Sequence, residues 1–174
     1  MSSLSQHISY WLSKPSRWFH RRGFSVQSPW AFEFVTHVLF GKSRFYAFDE
    51  LGGDRSDEQL FKVVRWLRPK EVVAYTGNAL TETYLMSPLS KNPSLRGSTI
   101  VYYYGTDQFS RLDGDVDSGR FTDDNCVIVD GIRRSNASNW QRLTVAPGAT
   151  SAFDLGKRGI VFFDQRRQRQ TYLL

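Results

Sequence analysis

Apolar positions along this chain follow two periods, and each predicts a set of elements. Trp30, Phe32, Phe34, Val35, Val38 and Leu39 crowd one segment that has little polar surface. Ser28-Pro29 at its head combines a capping hydroxyl with a proline suited to the first helical position. The pattern predicts a largely buried helix running to Leu39 or Phe40 and stopping at Gly41. Leu60, Val63, Val64 and Leu67 recur at three and four residues and predict an amphipathic helix. Ser56 and Gln59 fit a capping box at its start, and Arg68, ahead of Pro69, marks its end.

Short apolar runs then alternate with helical stretches. Glu71 to Tyr75 reads as a buried strand, and a tight loop leads to a helix over Ala79 to Met86, stopped by Pro88. Ser98 to Tyr104 has strong strand propensity. Cys126-Val127-Ile128-Val129 is a continuous apolar run ending at Asp130-Gly131, the pattern of a fully covered parallel strand. Ser135 to Leu143 reads as a helix with Trp140 and Leu143 inward. Thr150 to Leu155 and Gly159 to Asp164 read as two strands joined at Gly156-Lys157-Arg158 in a hairpin. Arg169 to Leu174 is a candidate further edge strand. Gly105 to Asn125 is polar, rich in Asp and Gly, and reads as a loop of ~20 residues. Such a loop is unusual in a compact domain and suggests that elements of a larger sheet are missing.

Ahead of these elements, Leu4, Ile8, Trp11 and Leu12 lie at helical spacing until Lys14-Pro15 interrupts them. Trp18, Phe19 and the cluster His20-Arg21-Arg22 follow. A basic amphipathic segment of this kind can lie on a membrane. An arm packed on its own domain or on a second subunit is the preferred expectation, which makes a homodimer through the N-terminal helices a candidate. Phe45-Tyr46-Ala47-Phe48 forms an apolar patch before the acidic turn Asp49-Glu50 and Gly52-Gly53. The whole describes one α/β domain over residues 1–174, with residues 1–55 as an N-terminal helical extension packed on it.

Composition sharpens this reading. Hydrophobic residues make up 40 % of the 174 and aromatics 15 %, enough for a sizeable core built from bulky side chains. The formal charge is +6 and the sequence pI about 9.6. That balance favours anionic partners, or simply a solvated basic surface. The cations are scattered in small groups: Arg17, Arg21 and Arg22; Arg133 and Arg134; Arg166, Arg167 and Arg169. Nucleic acid is therefore a possible partner and not the favoured one. The lone Cys126 excludes an internal disulfide and fits a reducing compartment. No apolar run reaches the ~20 residues of a membrane span, and no signal-like apolar core stands at the N-terminus. The expected location is the cytoplasm, and the expected partner is a small molecule or a protein.

The candidate chemistry lies at strand ends, where open α/β sheets bind ligands. Asp130 is the leading functional carboxylate, weighed equally against a turn acid before Gly131. Gly77 and Asn78 offer backbone donors at a helix N-terminus, or an ordinary turn. Tyr102, Tyr103 and Tyr104 can stack on a ring, although alternate strand residues serve the core. His7, His20 and His37 lack metal-ligand spacing. Cys126 reads as an inert core thiol. There is no Ser-His-Asp order and no Walker-type glycine loop.

The order of these elements resembles the class I S-adenosylmethionine (SAM)-dependent methyltransferases, in a bacterial branch with an N-terminal helical extension. The resemblance is carried by Gln27-Ser28-Pro29-Trp30, by Phe45-Tyr46-Ala47-Phe48-Asp49-Glu50 and by Leu60-Phe61-Lys62-Val63-Val64. It continues through Val129-Asp130 and Trp140 to Asp154-Leu155 and Gly159-Ile160-Val161-Phe162-Phe163. It implies a reduced Rossmann-like, mostly parallel sheet with an antiparallel C-terminal hairpin and N-terminal helices. It implies SAM as cofactor, held by Tyr75, Thr76, Gly77, Asn78 and Tyr104, with Asp130 as the catalytic candidate. The departures are specific. Where the family carries an acid and a turn like Glu-Leu-Gly-x-x-x-Gly, this chain has Ala74-Tyr75-Thr76-Gly77-Asn78-Ala79-Leu80. Only Gly77 of the glycines remains, and Ala74 replaces the acid. The ribose-holding acid at the end of the second strand is replaced by Tyr103-Tyr104-Gly105, with Asp107 beyond it. Gly131 stands where metal-dependent relatives carry a second ligand, so no metal is expected. Five strands are expected, and removing the family's two middle strands places Glu71–Tyr75 next to Cys126–Asp130. Two functions follow: a methyltransferase with a degenerate cofactor site and weak or no activity, or a non-catalytic Rossmann-like protein that binds a protein, an anion or nucleic acid.

Overall fold

The computed structural model describes Val26, residues 28–43 and residues 45–174. The readings made for residues 1–25, including the amphipathic segment and its basic cluster, lie outside the described residues. The chain enters through α1 (Pro29–Glu33), which continues as π-type turns over Phe34–Leu39. Ser28 Oγ accepts the Ala31 amide, as its place before Pro29 predicts. The wider turns show in the bond from the Phe40 amide to the Val35 carbonyl, at 3.0 Å. Then come α2 (Tyr46–Leu51), α3 (Arg55–Leu67), β1 (Glu71–Tyr75), α4 (Ala79–Met86) and β2 (Ile100–Tyr104). The chain ends with α5 (Phe109–Asp117), β3 (Asn125–Asp130), α6 (Ala137–Val145), β4 (Ser151–Asp154), β5 (Arg158–Phe163) and β6 (Gln170–Leu173).

Three local expectations are corrected. The cap of α3 is Asp54, not Ser56. Asp54 Oδ1 accepts the amides of Ser56 and Asp57, while Asp57 returns a bond to the Asp54 amide. The patch Phe45–Phe48 is followed by no acidic turn: Tyr46–Leu51 is helical and carries Asp49 and Glu50 within it. Residues 105–125 are not a bare loop. They contain α5, which docks through buried Leu112 and half-buried Val116.

The fold is mixed α/β with one six-stranded sheet, in the order β1-β2-β3-β5-β4-β6. The pairs β1–β2, β2–β3 and β4–β6 are parallel, and β5 runs antiparallel to both its neighbours. β4 and β5 form the expected C-terminal hairpin, and the tail supplies β6 as a sixth strand. The expected contact between Glu71–Tyr75 and Cys126–Asp130 does not form, because β2 lies between them: Tyr75 is level with Tyr104, and Tyr104 with Val129. Burial explains this order. Four of the five β2 residues are buried and suit an interior strand, while β1 has one buried position and suits an edge. Local bonds fix the start of the pairing: the Lys70 amide donates to the Thr99 carbonyl, and the Gly97 amide to the Arg68 carbonyl.

Strand alternation divides the core into two layers. On one face Val72, Val101, Tyr103, Cys126, Ile128, Ile160, Phe162 and Phe153 meet α1 and its π-type turns, α3 and Leu85 of α4. Trp30 stacks on Phe34 at 5.5 Å and stands edge-on to Phe162 at 5.0 Å, so the N-terminal helix is keyed into the sheet. On the other face Tyr102, Tyr104, Val127, Val129 and Val161 meet Leu112 of α5 and Trp140 and Leu143 of α6. Each large side chain buried this way contributes about 1.5–3 kcal/mol. A third cluster, Phe48, Phe61 and Tyr84, joins α2 to α3 and α4.

The two faces create a topological conflict. The steps β1→β2 and β2→β3 advance in the same direction across the sheet. Their helices, α4 and α5, cover opposite faces. Two parallel crossovers that advance alike over opposite faces have opposite hands, so one of them has the rare left hand.

Among the described residues, no helix is long and apolar enough to cross a membrane.

Candidate functional site

The C-terminal ends of β1, β2 and β3 lie together, since the three strands are parallel. At the end of β1, Thr76 Oγ1 accepts the Asn78 amide at 3.1 Å. Asn78 Oδ1 in turn accepts the amides of Leu80 and Thr81 at 3.0 and 3.1 Å and caps α4. Of the amides that this turn could offer to an anion, those of Leu80 and Thr81 are thus answered by the Asn78 side chain and that of Asn78 by Thr76. At the end of β2, the buried Gly105 donates its amide to the Tyr75 carbonyl at 2.9 Å. A Cβ at Gly105 would lie 2.9 Å from Asp107 Oδ1, and one at Gly77 would lie 3.8 Å from Asp107 Oδ2. The exposed Asp107 carboxylate therefore lies across the ends of β1 and β2, where Gln108 Nε2 donates to it at 2.9 Å.

Tyr75 and Tyr104 pair in register, with ring centres 5.1 Å apart, and both rings face α5. The Tyr104 hydroxyl donates to Asp115 Oδ2 at 2.5 Å. Burial, then the hydrogen bond to Asp115, push its ionisation well above the ordinary tyrosine value. Arg111 lies 4.3 Å from the centre of the Tyr75 ring and donates to its hydroxyl at 3.1 Å, and Arg120 pairs with Asp115 at 3.2 Å. Both tyrosine hydroxyls are therefore committed to the α5 layer.

Asp130 closes β3 from the far side of β2. Tyr103 donates its hydroxyl to Oδ2 at 2.7 Å. Arg158 donates through Nε to Oδ1 at 2.5 Å and through Nη2 to Oδ2 at 2.8 Å. The Nη1 of Arg158 also donates to the Ser56 carbonyl. Burial works against the charge on Arg158, but the bond and charge of Asp130 outweigh it and raise its pKa above the usual guanidinium value. Burial and the Asp130 charge likewise drive the Tyr103 hydroxyl upward. Between the ends of β2 and β3, buried Asn136 donates Nδ2 to the Gly105 carbonyl at 3.2 Å and to the Asp130 carbonyl at 2.7 Å.

Of the candidate residues, Thr76, Gly77 and Asn78 form one turn. Tyr75 and Tyr104 adjoin it through the backbone and point their rings elsewhere. Asp130 stands apart, across β2. From the sequence, Asp107 figures only as the acid beyond Gly105, and Arg158 and Asn136 are given no part in this region. An arginine opening the apolar run of β5 is a signal that could have found Arg158, since a cation there needs a buried carboxylate. Cys126 is buried, and burial drives its thiol pKa upward, so it is no nucleophile. Among the described residues, no group of three or more His, Cys, Asp or Glu is placed to hold a metal ion. No family model, curated protein or solved structure matches this chain.

Proposed function

We propose that this chain is a reduced, methyltransferase-like α/β protein that acts by binding and has set aside SAM-dependent catalysis. The observation that carries this reading is the clamp on Asp130. Both its oxygens are engaged by Arg158, and Tyr103 adds a third bond. A carboxylate held by three internal donors is committed to the fold and poorly placed to take a proton from a bound substrate.

Topology supports the ancestry. A doubly wound sheet of order 3-2-1-4-5-6 that loses strands 2 and 3 becomes 1-4-5-6, with strand 1 at the edge. β1 has that edge position, followed by β2 and β3. The helix after strand 1 would keep its face yet now lead in the opposite direction, which accounts for one left-handed crossover. The same loss removes the reversal of strand order at which such sheets form their cofactor crevice.

The residues present do not fit SAM. Asn78 occupies the Leu80 and Thr81 amides at the head of α4, the strand that carries the ribose acid in the family is one of the two taken as lost, and the Tyr104 hydroxyl is turned away to Asp115. Calorimetric titration of the full chain with SAM should show no saturable binding in the low micromolar range. A clear micromolar isotherm would overturn the reading. One observation favours an enzyme with a drifted cofactor site: the exposed Asp107 carboxylate beside Gly77. That second reading requires SAM binding that Asp107→Asn abolishes.

A further inference from the structure

We propose that a cleft at the opposite end of the sheet, between α3, the π-type turns and the connection from α4 to β2, binds a nucleotide through its phosphates and its base. The inference rests on no part of the methyltransferase reading. The cleft has a volume of about 600 Å³, within the range of ligand sites. Its lining includes His37, Lys62, Arg65 and Arg68, together with Phe45 and Trp66, and contains no carboxylate among the described residues. Residues 1–32 hold no Asp or Glu either, so they add no counter-charge.

The three long cations follow at intervals of three residues along one side of α3 and its C-terminal end. Like charges at that spacing repel, a cost that a bound anion relieves. No ion pair joins any of the three to a carboxylate among the described residues. Lys62 is half-buried and donates to the Gly41 carbonyl at 2.9 Å, which uses one of its three donors. Its burial lowers its pKa, Arg55 adds to the fall, and Glu58 opposes it. Arg65 lies 5.0 Å from the centre of the Phe45 ring. Ser43 and Ser90 add two hydroxyls to the same walls. A lining of donors and cations beside Phe45 and Trp66 suits a phosphorylated compound with a flat ring. Phosphate takes the guanidinium forks, and a base has a face for the aromatic side chains.

The test is a calorimetric titration of the full chain with ADP, with adenosine and with pyrophosphate. ADP is expected to bind with micromolar affinity, adenosine and pyrophosphate at least tenfold more weakly, and added salt should weaken all phosphate binding. Arg65→Glu should weaken ADP by roughly tenfold or more, the loss of one charge-assisted contact. Arg68 holds a left-handed backbone with φ of 47°, so Arg68→Asn keeps the helix end and serves as a second variant. Arg134→Glu removes an exposed charge elsewhere and should leave ADP binding intact. A short single-stranded oligonucleotide that binds more tightly than ADP, and loses affinity on Arg65→Glu, supports the site and assigns its nucleotide to a strand. No saturation with ADP up to millimolar, pyrophosphate as tight as ADP, or equal losses for Arg134→Glu and Arg65→Glu would each overturn the proposal.

Discussion

Arg158, the first residue of β5, grips both carboxylate oxygens of Asp130, the last residue of β3, from the position directly opposite in the antiparallel ladder. The pair is the hinge of the whole region, because the same guanidinium reaches the Ser56 carbonyl in the first turn of α3. A strand end that offers a carboxylate to ligands is here tied to its own hairpin and to an N-terminal helix.

That geometry predicts an asymmetric mutational response. Asp130→Ala leaves a buried guanidinium without its partner and should cost about 3–5 kcal/mol in urea unfolding. The double variant Asp130→Ala, Arg158→Met removes both charges and should recover a large part of that loss. Additive losses in the double-mutant cycle would show that the two residues do not work as a pair.

Gly159 predicts a steric response. A Cβ there would lie 2.6 Å from Trp140 Cε3 and Cη2, and this ring is the anchor of α6 on the sheet. Gly159→Ala should cost about 1–3 kcal/mol by overpacking. Combining it with Trp140→Leu should cost less than the two separate losses added together. Thermal melts of the four proteins give the answer, and a Gly159→Ala chain that melts like the parent would contradict it.

How much of this was legible beforehand depended on whether the signal was local. Ala79–Met86 has a side-chain cap, Asn78, and a breaker, Pro88, and its bounds were readable to the residue. The run Cys126–Val129 and the Gly156 turn announced β3 and the hairpin just as plainly. α5 was hidden because its acids mimic loop composition. Their partners include distant ones that no local pattern reveals: Asp115 bonds Tyr104, while Asp113 and Asp117 pair with Arg142 of α6. The single buried Leu112 left too faint a period to read. Strand order was lost for the same reason, since β2 enters between β1 and β3 through burial on both faces, a property of the assembled sheet. At the candidate site, Asp130 was visible as a strand-end acid, but Arg158 lies 28 residues away and no local pattern couples them.

The capping assignment at α3 yields a discriminating test. Asp54→Ala removes the acceptor of two first-turn amides and should cost about 0.5–2 kcal/mol. Ser56→Ala leaves the backbone amide and carbonyl that Ser56 contributes and should change stability by less than about 0.5 kcal/mol. Equilibrium unfolding that ranks Ser56→Ala as the costlier change would restore the serine as cap.

The turn after β5 carries the pH dependence. Asp164 Oδ1 accepts the Arg166 amide at 3.1 Å and Arg166 Nε at 2.7 Å, and Arg167 Nε lies 2.8 Å from Oδ2. Burial works to raise the Asp164 pKa, but the Arg166 bonds and the two guanidinium charges outweigh it and hold it below the usual carboxylate value. Arg167 in turn lies 3.5 Å from the centre of the Trp30 ring, so this acid helps seat α1 on the sheet. A carboxylate with a native pKa below its unfolded one, about 3.9, stabilises the fold fully above that value. The contribution is lost as pH falls through the lower native pKa, because the unfolded chain then binds the proton first. Asp164→Asn should therefore be less stable than the parent at pH 7 and lose less on acidification. The two stability curves should converge once the pH has fallen below the native pKa of Asp164. Urea titrations in pH steps from 7 to 2 would measure both curves, and parallel curves across that range would mean that Asp164 contributes nothing through its charge.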